Sequence, residues 1–233
     1  MSGVLVSATG ITHTFGKGPA AFTALHDVAL TVRAGELLLL MGPSGSGKTT
    51  LLHVLGCLLR PTQGQVQVLG QDTAGLRDAA LGRLRLKHFG FVFQAHNLFP
   101  MLTAAENVMV ALDLAGQRGA TARRRAEDLL GVVGLSTHCN AYPATLSGGQ
   151  RQRVAIARAL AADPVVLMAD EPTAALDSDN GHRVMDLFRA LAADQRRGVV
   201  IVTHDPRIVP LAGRIVRLDD GRVVPEPARM ETA

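Results

Sequence analysis

Gly42-Pro43-Ser44-Gly45-Ser46-Gly47-Lys48-Thr49 has the residue types that hold a polyphosphate, at the spacing G-x-x-x-x-G-K-[ST]. Glycines let successive backbone N–H groups turn inward around an anion, where a Cβ would collide with it. A helix beginning after Gly47 adds the partial positive charge of its N-terminus, about +0.5. Lys48 supplies a point charge for the terminal phosphates, and the Thr49 hydroxyl is a ligand type for Mg2+. Gly42, Ser44, Gly45, Ser46, Gly47, Lys48, Thr49 and Thr50 are therefore the candidate nucleotide-binding residues.

Two further groups of residues complete a hydrolytic chemistry. Val165-Val166-Leu167-Met168-Ala169-Asp170-Glu171 puts two carboxylates at the end of an apolar strand, the end at which open α/β sheets bind ligands. Asp170 suits Mg2+ through a water. Glu171 suits a general base that polarises the attacking water, a contribution of roughly 10²–10⁴-fold. Leu146-Ser147-Gly148-Gly149-Gln150 precedes a strongly helical stretch, Arg151 to Leu160. Ser147 is a good N-cap, and the N–H groups after it form a second anion site. A nucleotide has one terminal phosphate, yet the chain carries two devices to hold it. The second device therefore serves a nucleotide bound by another copy.

The elements needed to position these groups are legible from hydropathy. Leu5 to Phe15 and Val28 to Val32 alternate like half-buried strands, whereas Glu36 to Met41 is an apolar run like a strand buried on both faces. A helix is expected from Lys48 to Leu59, stopped by Pro61. Strands are expected at Val66 to Leu69, Phe89 to Phe93, Val165 to Ala169, Val199 to Thr203 and Arg214 to Leu218, with a helix over about Asp179 to Ala193. This alternation argues an α/β fold with a parallel sheet. Residues 95–160 break the alternation with a helical pattern and read as an inserted helical subdomain.

Composition narrows the classes. With 233 residues, 47% hydrophobic and 19% charged, the chain suits one substantial folded domain. Its apolar runs are far short of the ~20 residues a bilayer needs, and the N-terminus shows no secretory signal. The expected compartment is the cytoplasm. The net charge of +4 does not point to nucleic acid, because aromatic residues are 3% and stacking platforms are scarce. Cys57 and Cys139 imply no disulfide framework.

The set Gly42 to Thr49, Gln94, Leu146 to Gln150, Asp170-Glu171 and His204 resembles the ATPase subunit of an ABC transporter, over about Leu5 to Val224. The resemblance implies a P-loop NTPase with a RecA-like core (1–94 and 161–233), an N-terminal antiparallel β subdomain and the helical subdomain (95–160) with the signature. It implies ATP and Mg2+ as cofactors, with Thr49, Gln94 and Asp170 at the metal, and Glu171, His204, Gln94 and Lys48 as catalytic residues. Phe15 falls where an aromatic stacks on adenine, a place more often held by Tyr. Gln94 would touch Mg2+ and the attacking water, and would couple them to a membrane partner. Ser147, Gly149 and Gln150 would contact the ATP of the opposite subunit. Ala175-Leu176-Asp177 would cross the dimer interface, and His204 would bond the terminal phosphate.

The wording of His13 to Gly18, Phe93 to Leu98 and Asp170 to Ser178 is most similar to the branch serving lipoprotein release, macrolide efflux and DevA-type glycolipid export, with DevA-type nearest. The partners so implied are a second copy, a separate membrane permease and a periplasmic adaptor. The place implied is the inner face of the cell membrane, reached through the permease. A signalling ATPase of the cell-division type is the alternative. Soluble repair or ribosomal relatives and a small-molecule kinase fit less well, for want of coiled-coil insertions, of a second cassette and of any kinase need for the signature.

Overall fold

The computed structural model describes residues 3–174 and 176–224; Ala175, of the interface loop, lies outside them. Two sheets meet. β1 (Val4–Phe15), β2 (Phe22–Arg33), β4 (Gln63–Val68) and β5 (Gln71–Asp72) form an antiparallel sheet in the order β2-β1-β4-β5. β3 (Leu37–Met41), β6 (Phe89–Val92), β7 (Val166–Asp170), β8 (Gly198–Val202), β9 (Arg214–Asp219) and β10 (Arg222–Val224) form the second, in the order β10-β9-β3-β8-β7-β6. Its strands are parallel apart from the edge strand β10.

The apolar runs explain the layering. On β3, Leu37, Leu39 and Met41 face one core cluster while Leu38 and Leu40 face the other. Val199 and Ile201 of β8 take the first side, and Val200 and Val202 the second. A strand buried on both faces needs apolar side chains at every position, and each fully buried Leu or Val contributes about 1.5–3 kcal/mol. The first cluster is closed by α3 (Ala104–Leu114), α4 (Gly119–Val132), α5 (Gly148–Ala159) and α6 (Ser178–Ala193). The second is closed by α1 (Lys48–Leu55), α2 (Asp78–His88) and the antiparallel sheet. No helix among the described residues is long and apolar enough to cross a membrane.

Several local expectations change. α1 ends at Leu55, not Leu59: Gly56 caps it, Cys57 turns left-handed at φ 55°, and the N–H groups of Leu58 and Leu59 return to the His53 carbonyl. The helical stretch after Thr103 holds three α-helices, with the 3-10 turns Ser136–His138 and Pro143–Thr145 between α4 and α5, where the turn residues Ala141-Tyr142-Pro143 stand. α2 left no signal in the sequence, because only Leu81 and Leu84 are buried on a helix otherwise interrupted by Arg83, Arg85 and Lys87. The strand expected at Val28 begins at Phe22.

Register brings the chemistry together. Leu40 pairs with Val202, Asp170 with Val202, and Val92 with Ala169. The segments leaving these strands, Gly42 to Thr49, Asp170-Glu171, Thr203-His204 and Gln94, therefore emerge along one edge of the sheet.

Candidate functional site

The phosphate loop is shaped by its own protein neighbours. A Cβ on Gly42 would stand 2.0 Å from the Leu218 carbonyl oxygen, and one on Gly47 2.5 Å from that of Ala24. Both residues also have left-handed φ values, 150° and 94°. These two glycines are thus required by approach to the protein backbone, besides any need to approach a phosphate. Lys48 Nζ donates to the carbonyls of Gly42 at 2.9 Å and Pro43 at 2.6 Å. The ammonium is drawn across the mouth of the loop, where an anion would meet it. Ser46 Oγ is buried without a partner, a polar atom that a phosphate oxygen would satisfy. Ser44 and Gly45 are exposed on the outer turn.

Thr49 Oγ1 donates to Asp170 Oδ1 at 3.2 Å, although 121 residues separate them. Hydroxyl and carboxylate oxygens are the hard donors that suit Mg2+, so the residues present fit that ion. Glu171 follows with φ 47°, its N–H held by the Val202 carbonyl at 2.9 Å. Its Oε1 lies 2.7 Å from Nδ1 of His204. The histidine therefore meets the carboxylate of the candidate base through Nδ1. Gln94 stands exposed just beyond β6.

A cavity of about 270 Å³ adjoins the loop, lined by Phe15, Phe22, Ala24, Gly45, Gly47, Lys48, Thr49 and Thr50. Phe15 is 44% exposed, and His13 meets it edge-on with centroids 4.5 Å apart. Phe22, the cross-strand partner of Phe15, is 60% exposed in the same cavity. It was missed in the sequence, and its pairing with Phe15 across the Gly16 to Ala21 turn is the signal that could have found it.

Ser147 caps α5 with a full capping box: Ser147 Oγ accepts the Gln150 N–H at 3.2 Å, and Gln150 Oε1 accepts the Ser147 N–H at 2.8 Å. None of Ser147 to Gln150 lines the cavity at the phosphate loop. Gly149 is pressed instead against Asn180 of α6. Asn180 is in turn held by Asp177, whose carboxylate accepts its N–H at 2.9 Å and its amide at 2.7 Å. The Asn180 backbone N–H, then its side chain, keep the Asp177 carboxyl below the usual range. The starts of α5 and α6 are thus one packed unit, with Gly149 joined to Asp177 through Asn180. Arg158, farther along α5, donates to the carbonyls of Asn97 at 2.5 Å and His96 at 2.7 Å. Both residues are left-handed, at φ 49° and 58°, and both follow Gln94 closely. Desolvation lowers the pKa of this guanidinium. Its role had no sequence signal, since α5 also carries Arg151 and Arg153.

A family model described as ABC transporter matches residues 25–174, and the motifs above fall within or beside that stretch. The chain belongs to the ABC transporter family. It is similar to a macrolide export ATP-binding/permease protein of Aeromonas hydrophila, 46% identical over 233 residues, which covers all of this chain and 36% of that protein. A macrolide export ATP-binding/permease protein of Burkholderia pseudomallei is 46% identical over 224 residues, 96% of this chain and 34% of that protein. The chain thus spans about a third of the length of the curated relatives it matches. Among solved structures, the dimeric post-hydrolysis state of the ATP-binding cassette MJ0796, bound to ADP and Pi, superposes with a TM-score of 0.87 at 43% identity. That match covers 96% of this chain and 98% of the other. ABC cassettes bind ATP with Mg2+ and hydrolyse it, and this chain is an ABC ATPase with their P-loop fold.

Proposed function

We propose that two copies of this cassette close on two ATP molecules and drive a membrane permease that exports a hydrophobic compound. Each ATP lies between the phosphate loop of one copy and Ser147 to Gln150 of the other. One observation carries this reading: no residue of Ser147 to Gln150 lines the cavity at the loop, while the capped start of α5 offers a second anion site elsewhere on the same chain. The dimeric MJ0796 cassette supports the pairing. The relatives named for macrolide export support a permease partner and a cargo of that kind, and disfavour the signalling alternative.

In this mechanism Phe15 stacks on the base, and Gly42 to Thr50 wrap the phosphates with Lys48 as the charge at their terminal oxygens. Thr49, Asp170 and Gln94 would hold Mg2+, which would neutralise phosphate charge there. Glu171 takes a proton from the attacking water. His204 donates its Nδ1–H to that carboxylate and orients it, and Nε2 would reach the terminal phosphate as a donor only when the ring carries both protons. Little covalent work falls to the protein, so the closure that adds the partner's N–H groups is the decisive event.

Residues 95–160 act as the arm that carries the signature. An apolar groove of about 440 Å³ next to the Gln94 segment supports permease docking there. It is lined by Phe89, Phe91, Phe93, Phe99, Val110 and Leu114, among others. A periplasmic adaptor is the further partner proposed, and the inner membrane face the working place. The test is the mass of Glu171→Gln with ATP and Mg2+, by light scattering. A dimer formed only with ATP is expected; an inactive protein that stays monomeric at high concentration would contradict the seam.

A further inference from the structure

Gln150 uses both ends of its side-chain amide. Its Oε1 accepts the Ser147 backbone N–H at 2.8 Å, and because that group can only donate, the bond fixes which end of the amide is oxygen. Nε2 therefore points to Nε2 of His138, 3.0 Å away. An amide NH2 has no acceptor to offer, so His138 Nε2 accepts and carries no proton. The proton of the neutral ring stands on Nδ1, 3.1 Å from Thr137 Oγ1, which accepts it. The tautomer follows from the direction of a single backbone N–H.

His138 comes from outside α5. It ends the 3-10 turn Ser136–His138, its own N–H bonded to the carbonyl of Leu135, a side chain 1% exposed in the core. The turn rests on α4. A fixed acceptor is thus presented to the signature by a separate, anchored segment. The capping box needs only Oε1 of Gln150, so the bond to His138 adds nothing to the cap. It restrains the amide: with one N–H held, the other has a set direction.

We propose that His138 is a positioning residue that aims the signature glutamine at the partner's ATP; this rests on the reading that Ser147 to Gln150 face that ATP. Any binder of the terminal phosphate must hold its donors in place beforehand, since each one ordered only on closure weakens association.

Long-range ¹H–¹⁵N NMR of the histidines in the nucleotide-free cassette is expected to show His138 as the Nδ1–H tautomer; the Nε2–H form would overturn the assignment. His138→Phe removes the acceptor, and His138→Gln restores one near the same place. In a Glu171→Gln background, His138→Phe should leave the ATP affinity of the monomer unchanged and lower its stability by no more than about 1.5 kcal/mol, roughly 12-fold in the folding constant. It should weaken ATP-driven association about 5-fold for each signature, roughly 25-fold for the pair, as the cost of ordering one side chain on closure implies. His138→Gln should recover most of this. Wild-type association of His138→Phe, or no recovery in His138→Gln, refutes the proposal. Gln150→Ala separates the two levels. Weakened association there with a normal His138→Phe defeats only the positioning role, whereas normal association in Gln150→Ala defeats the signature reading itself.

Discussion

Replacing Gly149 by Ala should destabilise the protein only while Asn180 keeps its side chain. The added Cβ would stand 2.8 Å from Cγ and from Oδ1 of Asn180 and 2.9 Å from its Cβ. Carbon atoms pack at about 3.5–4.0 Å, so the overlap is at least about 0.6 Å. Swinging the amide away breaks its bond to Asp177, and no rotamer moves the Asn180 Cβ, which is fixed by the α6 backbone. The starts of α5 and α6 must separate, at a cost of about 1–3 kcal/mol for overpacking of this kind. Asn180→Gly removes all three atoms. In that background, Gly149→Ala should be neutral or stabilising by up to about 1 kcal/mol, since Ala loses less backbone entropy than Gly in a helix. Urea denaturation of the two single variants and the double, without nucleotide, completes the cycle, with an expected coupling of about 1–4 kcal/mol. An equal effect of Gly149→Ala in both backgrounds would refute the contact. ATP-driven association should follow the same pattern, because the displaced turn carries Ser147 to Gln150.

Lys48→Ala should lose nucleotide affinity by calorimetry while keeping its fold, and unchanged ATP binding would remove the loop assignment. Glu171→Gln should bind ATP but turn over about 10²–10⁴-fold more slowly in a phosphate-release assay. Arg158→Ala strips two carbonyls of a charged donor and should cost about 2–4 kcal/mol. Hydrogen exchange should quicken around residues 94–99 with ATP binding retained; unaltered exchange there would contradict the clamp. Burial pushes the Cys57 thiol up to about 11 against the opposing charges of Arg85 and Arg60. At pH 8 only about one thiol in a thousand is then ionised. Iodoacetamide should therefore modify Cys139 well before Cys57 in the native protein, and both in denaturant.

The parts of the fold that were legible are those where one side chain per position has one job. Leu37 to Met41 and Val199 to Val202 are apolar at every residue because both faces are covered, and no other placement satisfies such a run. The order of strand, loop, helix and acidic pair likewise fixed where the chemistry would gather, and Thr49 does meet Asp170 across 121 residues. α2 was hidden because a helix that buries only Leu81 and Leu84 shows no apolar stripe. The links that organise the site were hidden for a different reason. Arg158 reaching His96, Asn180 against Gly149 and His138 bonded to Gln150 join segments distant in sequence, and neither partner of any pair advertises the other. Phe22 shows the same limit, because its meaning depends on the strand register that sets it opposite Phe15.

The central claim is that a complete catalytic site is made by two cassettes and by neither alone. Turnover per cassette, measured over a wide dilution series at saturating ATP and Mg2+, addresses it most directly. The rate should fall steeply as dilution separates the copies and reach a plateau when they are concentrated. A rate per cassette that stays constant down to the greatest dilution would contradict the shared site.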